Sequence, residues 1–238
     1  MKSKAIVLSA LRYGDEQLIV DLLTEQCGCV PMMVRVSRSR RAAVRHTLFQ
    51  PMAVLEVEWN ERAKASLQRP RAVQTALPFS SVPYDPYKSA MALFLAEFVR
   101  HALRAEQDTG AVFAFVEKSM EWLDTCESDF SNFHIAFLLH FTRFMGFMPN
   151  LDGYAEGMWF DMRSSAFTSL KPLHADVLEP RDAALLPLMM RMKYANMRVF
   201  RFNGAERSRL LELVNTYYRL HLPSFPELKS LAVLKQLF

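Results

Sequence analysis

Three observations predict an α+β chain of more than one domain. Short segments in which apolar residues recur at every second position fill the first 78 residues. A proline- and serine-rich break, LPFSSVPYDP, follows at Leu77 to Pro86. Beyond it, apolar residues recur at helical spacing almost to the last residue, Phe238. The expected organisation is therefore a strand domain at 1–78, a linker at 79–86 and a helical bundle at 87–238, with one short hairpin near 157–169.

The strand domain opens with the apolar, partly β-branched run within Lys4 to Leu11, and Gly14 supplies a turn after Arg12-Tyr13. Periodicity alone leaves Gln17 to Thr24, QLIVDLLT, between a strand and a short helix; its brevity, the Ile19-Val20 pair and the Cys-Gly-Cys break after it favour a strand. Val30, Met32, Val34 and Val36 then share one face, and Arg35 shares the other. Ser37 to Thr47 has no apolar stripe and reads as a loop or short exposed helix. Pro51 to Trp59 places Ala53, Leu55, Val57 and Trp59 on one side, and Ser66 to Leu77 supplies a fifth segment. Five short strands without long helices suggest a small closed or partly closed barrel, for which the oligonucleotide-binding (OB) fold is the natural candidate.

In the helical part, Pro86 to Arg104 is apolar on more than one side, through Met91, Phe94, Leu95, Phe98, Val99 and Ala102. Ala111 to Cys126 forms the next helix. A third, capped by Asp129 or Ser131, runs to Phe144; it is apolar all round and belongs at the bundle centre. Gly146 and Pro149 stop it. Gly157 to Ser169 reads as a hairpin turning at Arg163-Ser164-Ser165, and Pro180 to Asn196 as a helix kinked at Pro187. A capping box at Asn203 to Glu206 starts the cleanest amphipathic helix, which ends at Pro223. The last segment, Glu227 to Phe238, is expected to dock through Leu231, Leu234 and Leu237.

The 238-residue chain can bury a substantial core, and its apolar runs fall short of the roughly 20 residues that cross a bilayer. The N-terminus does not resemble a signal peptide, so a cytoplasmic protein is expected. Cys27, Cys29 and Cys126 suit reduced thiols, and no second cysteine pair completes a metal site, so no cofactor or metal is expected. Charge is uneven: residues 1–78 carry 12 Lys/Arg against 7 Asp/Glu, whereas the remainder carries 17 against 18.

The basic excess concentrates in Arg35, Arg38, Arg40, Arg41 and Arg45, within a stretch that has no acidic residue between Glu25 and Glu56. Guanidinium groups engage two phosphate oxygens at once, so this is a candidate polyanion surface, which Lys64, Arg69, Arg71 and Lys2 or Lys4 extend. Stacking residues are scarce: Tyr13, Phe49 and Trp59 are the only aromatics before the linker, and Trp59 sits on the core face. Backbone-dominated binding with little sequence selectivity is expected. Catalytic signatures are missing, with no G-x-S-x-G, Walker loop, G-x-G-x-x-G or H-E-x-x-H. Glu97 and His101 read as an exposed helical pair, and His134 and His140 as edge or hydrogen-bonded core histidines. Phe94, Phe98, Phe133, Phe137, Phe141 and Phe144 read as core, although a groove among such helices can receive an apolar peptide.

The run RYGDEQLIVDLLTEQCGCV, the basic loop after it and LFQPMAVLEVEW resemble the opening of the bacterial recombination mediator family RecO. FTRFMGFMPNL and the late YYRLHLPSFPELKS resemble its later motifs, in order across almost the whole chain. The resemblance implies an N-terminal OB-fold and a helical C-terminal domain. It also implies a non-enzymatic role in DNA repair and recombination: binding single- and double-stranded DNA, annealing complementary strands and, with RecR, helping to load RecA onto DNA coated by single-strand-binding protein. The helical domain is implied to contact that coat protein's acidic, hydrophobic C-terminal tail. The chain departs from the family in two places. Leu151 to His174 lacks the cysteines of the family's four-cysteine zinc site, and Asp129 to Phe137 lacks Lys and Arg, leaving Phe137, Phe141 and Arg143 as partner-binding candidates. A protein-interaction scaffold, whose basic barrel binds an acidic protein segment, remains the alternative, and an enzyme stands third.

Overall fold

The computed structural model describes residues 1–36, 44, 46–62, 65–103 and 109–237. Five strands form one antiparallel sheet: β1 (Lys2–Arg12), β2 (Gln17–Thr24), β3 (Gly28–Arg35), β4 (Val54–Trp59) and β5 (Pro70–Leu77), in the order β3-β2-β1-β4-β5. A bulge in β1 between Val7 and Ser9 coils this strand, so its first half pairs with β4 while its second half continues along β2 alone. The outer strands approach at a single parallel bridge, Met32 to Gln68, where Met33 N–H donates to Gln68 O at 2.8 Å and Gln68 N–H donates to Pro31 O at 2.9 Å. The sheet is thus a partly closed barrel. Its interior is filled by Ala5, Val7, Leu18, Val20, Leu22, Met32, Val34, Leu55, Val57 and Trp59, the faces that period-two alternation selects. Gln17–Thr24 is a strand throughout.

The chain divides into two compact units, one formed by Met1–Cys126 with Glu227–Leu237 and the other by Glu127–Pro226. Compactness therefore does not follow the change from strand to helix at 78. The first two helices, α1 (Pro86–Ala102) and α2 (Gly110–Thr125), belong with the sheet, as does the last, α7 (Lys229–Leu237). The physical reason lies in partly buried polar bonds. The Asp124 carboxylate of α2 accepts backbone N–H groups from Ser80 (2.8 Å), Ser81 (2.7 Å) and Val82 (2.8 Å), together with both serine hydroxyls. Lys88, 3 % exposed, donates from α1 to Ser81 Oγ at 2.7 Å and to Cys126 O at 2.6 Å. The segment expected to be an extended linker is strapped down, and Asp85 at its end caps α1 through Tyr87 N and Lys88 N.

The Glu97 carboxylate of α1 accepts the amides of Lys229 (3.1 Å) and Ser230 (2.8 Å) and the Ser230 hydroxyl, capping α7 from outside its own chain segment. The expected exposed Glu97–His101 pair is thereby corrected: the acid has a structural task. In α7, Leu231 and Leu234 are buried, whereas Leu237 is 37 % exposed and does not dock as expected.

In the second unit, α3 (Phe133–Phe141) buries every residue except His140, as expected of a helix apolar all round. It is shorter than the predicted span, and neither Asp129 nor Ser131 caps it. Asn132 precedes it, and that side chain donates instead to Phe200 O at 2.6 Å. A hairpin of β6 (Trp159–Asp161) and β7 (Ala166–Thr168) turns through residues 162–165 as predicted, and β8 (Val177–Leu178) pairs on the other side of β6. The helix after Pro180 is two pieces, α4 (Pro180–Ala183) and α5 (Leu185–Met190), broken at Ala184 rather than kinked at Pro187. Pro187 then falls in the first turn of α5, where its missing N–H leaves no bond unmade. A 3-10 turn at Tyr194–Val199 leads to α6 (Gly204–His221), which starts with the predicted capping box, Asn203 to Glu206. Tyr218 of α6 ties it to α3 by donating to Leu138 O at 2.7 Å.

Candidate nucleic-acid interface

The candidate cations of the first unit fall into two groups, which differ in whether a partly buried acid holds them. Lys2 pairs with Glu56 at 3.0 Å, Lys4 with Glu117 at 2.8 Å and Arg100 with Asp21 at 2.5 Å. The Glu117 hydrogen bond raises the Lys4 ammonium above its ordinary value. Lys2 and Lys4, expected to extend the basic path, are thus taken into ion pairs.

The second group lies where β3 meets the approach to β5. Arg35 projects outward from the end of β3 and Arg69 reaches the same outer face, its Nη2 3.9 Å from Met33 Sδ. Arg71 is the extra residue of a β-bulge: Trp59 pairs with Pro70 and Glu58 with Ala72, which turns Arg71 out of the ladder into solvent. Arg35 pairs with Glu16 at 2.9 Å, but both side chains are mostly exposed and water screens the bond. Arg69 and Arg71 have no ion pair among the described residues. Arg38, Arg40, Arg41, Arg45 and Lys64 lie outside the described residues.

The β1–β2 turn borders this area. Val36 N–H donates to Glu16 O at 2.8 Å, so Val36 lies beside that turn, and Gly14 makes the turn with φ of 70°. Arg12 and Tyr13 stand exposed there, Tyr13 at 57 %. Phe49 and Trp59 are 2 % and 1 % exposed, so Tyr13 is the one stacking ring that the five strands offer among the described residues. Arg12 was missed by sequence reasoning. Its signal was its place at the end of a strand, directly before the Tyr-Gly turn.

Burial pushes the Cys29 thiol up to about 11, with Asp21 adding to the effect, so this thiol stays protonated at neutral pH. Among the described residues, no group of three or more His, Cys, Asp or Glu side chains could hold a metal ion. No described helix is long and apolar enough to cross a membrane.

Comparison with known proteins agrees with this layout. Residues 1–79 match the family model for the N-terminal part of recombination protein O, and residues 83–232 match the model for its C-terminal part. The chain belongs to the RecO family. The DNA repair protein RecO of Phocaeicola vulgatus is 48 % identical over 237 residues, covering 100 % of this chain and 98 % of the relative. The RecO of Flavobacterium psychrophilum is 34 % identical over 240 residues, covering 100 % and 99 %. The N-terminal family region ends where β5 gives way to the strap, so the five-stranded sheet is the OB-fold of a RecO-family DNA repair protein.

The RecO partner-binding candidates separate on burial. Phe137 and Phe141 are each 0 % exposed and stack on one another, centroids 5.6 Å apart, inside the core around α3. As surface contacts these two rings are corrected to core residues. Arg143 is exposed, with its guanidinium 4.9 Å from the Phe144 ring centroid.

Proposed function

We propose that this chain is a recombination mediator that acts by binding rather than by chemistry. It holds single- and double-stranded DNA on the outer face of the barrel, anneals complementary strands and, with RecR, helps load RecA onto DNA coated by single-strand-binding protein. Membership of the RecO family supports the reading. The observation that carries it to residues is that Arg12, Arg69 and Arg71 are exposed and without ion pairs among the described residues, with Arg12 at the end of β1 before the β1–β2 turn and Arg69 beside Met33 of β3. Guanidinium groups so placed neutralise phosphates on two strands, lowering the repulsion that opposes pairing. With one exposed ring beside them, the contacts are to the backbone and select little for sequence. Arg143 remains the surface candidate for the tail of single-strand-binding protein. The proposed location is the cytoplasm, in association with the nucleoid.

A salt titration of oligonucleotide binding tests this. Log affinity for a single strand falls with log salt by about 0.7 for each phosphate contacted. The R12A/R69A/R71A variant is expected to flatten the slope by about 2 for three lost contacts. An affinity that is flat in salt for the wild-type chain overturns the basic-surface reading. An R38A/R40A/R41A variant that keeps DNA binding and loses a protein partner favours the scaffold instead.

A further inference from the structure

A second stretch without acids lies in the helical unit. Between Asp182 and Glu206 the chain carries Arg191, Lys193, Arg198 and Arg201 and no Asp or Glu. Its centre reads Arg198-Val199-Phe200-Arg201-Phe202, guanidinium and ring side chains interleaved, as the barrel's arginine run is not.

The structure gathers this segment around a cleft of about 620 Å³, lined by Arg198, Phe200, Arg201, Phe202 and Arg207, with Asp129 at its border. The Asn132 side chain donates to Phe200 O, and Arg207 donates to Phe202 O, so the backbone carrying both rings is held at two points. Arg198 and Arg201 are exposed and have no ion pair among the described residues, and Val199 between them is 73 % exposed. Phe200 and Phe202 are half-buried, so each keeps accessible surface while the fold restrains it.

We propose that this cleft is a second nucleic-acid site, specific for single strands: Arg198 and Arg201 engage successive phosphates while Phe200 and Phe202 offer surfaces on which unpaired bases stack. Cations spaced by restrained rings suit a flexible strand, whose bases can splay out; in a duplex those faces are already stacked. A single carboxylate, Asp129, borders the cleft and opposes the phosphates there, against three arginines. An acidic peptide is the rival occupant. It satisfies the guanidinium groups, but it does not use two planar rings unless it carries rings of its own. The inference rests on the DNA-binding reading for the identity of the polyanion and on separate residues for its place.

The test uses the full chain and fluorescein-labelled oligo(dT) and duplex probes, with affinity followed by anisotropy from low to high salt. The R198A/R201A variant, with folding verified by its thermal melt, is expected to bind oligo(dT) about 25-fold more weakly at 0.1 M salt, the effect of two contacts at about 0.7 each in log salt. Its duplex affinity is expected to change far less. A 5-iodouracil oligonucleotide irradiated with the wild-type chain is expected to cross-link at Phe200 or Phe202, a readout that needs no variant. Unchanged oligo(dT) affinity in R198A/R201A, with loss of binding only in R12A/R69A/R71A, overturns this site and leaves the barrel reading standing. The converse pattern supports the cleft and removes the barrel. Retained DNA binding with loss of an acidic C-terminal peptide of single-strand-binding protein also overturns the inference and makes the cleft a peptide site.

Discussion

The two compact units of this chain hold together by opposite means. The first ties its helices to the strap, to one another and to the sheet through buried or half-buried charges: Asp124 on the strap amides, Lys88 on carbonyls and a hydroxyl, Glu97 on the start of α7 and Arg100 on Asp21 of β2. The second packs around α3, whose buried face carries one ionisable side chain, His134, amid Phe133, Ile135, Phe137, Leu138 and Leu139. In the first unit, then, a cation is not automatically a ligand-binding cation. Lys4, Lys88 and Arg100 serve the fold, and Arg12, Arg69 and Arg71 are the cations proposed to meet a polyanion. In the second unit Asp182 holds Arg209 and Asp176 holds Arg163, whereas Arg191, Arg198 and Arg201 are exposed and have no ion pair among the described residues.

The largest expected effect strikes the first unit's reliance on charge. Asp124→Ala leaves three backbone amides without their acceptor; Val82 is buried and, so orphaned, costs about 1–3 kcal/mol, whereas Ser80 is exposed and Ser81 half-buried, and these two cost less. A loss of about 2 kcal/mol in urea unfolding is expected, with Asp124→Asn between it and wild type. A loss below about 0.5 kcal/mol, the scale of an ordinary surface change, breaks the contrast between the units.

Acid sharpens the contrast next. Burial, followed by the charge of Arg207, lowers His134 from 6.5 to about 3. The folded unit therefore excludes a proton that the unfolded chain binds: the histidine costs nothing above pH 6.5 and destabilises increasingly as pH falls from there toward 3, by up to about 1.4 kcal/mol per pH unit. Asp124 behaves differently. Burial raises its carboxyl, but the amides of Ser80, Val82 and Ser81 more than compensate and hold it below 3.8, so its contribution persists above that value and disappears only as pH falls through the lower folded one. The second unit should weaken first on acidification, read by tryptophan fluorescence from Trp159 against Trp59 and Trp122. His134→Gln should remove the slope between pH 6.5 and 4. A wild-type melting temperature that is level across that range contradicts the assignment.

What the sequence disclosed follows from how local each feature is. Alternation at Met32, Val34 and Val36 and at Leu55, Val57 and Trp59 reports which face meets a core, so the barrel strands and their buried sides were readable. The capping box at Asn203 was readable too, because both partners lie within one turn. Asp124 meeting Ser80 to Val82, and Glu97 meeting Ser230, span 42 to 44 and 133 positions, and no periodicity reports such partners. For the same reason the membership of α1, α2 and α7 in the first compact unit was not readable. The site divides likewise. Arg35, Arg69 and Arg71 were nameable from the charge run and the strand pattern, but the engagement of Lys2 and Lys4 by Glu56 and Glu117 appears only in the fold. Phe137 and Phe141 share a helix that is apolar on every side, and a sequence cannot say which of its rings remains outside.

The most direct test of the central claim is annealing of two complementary labelled oligonucleotides, each coated with the cognate single-strand-binding protein, by the wild-type chain and by the R38A/R40A/R41A variant. The wild-type chain is expected to accelerate annealing and the folded variant is not. A folded wild-type chain that leaves the rate unchanged contradicts the mediator reading.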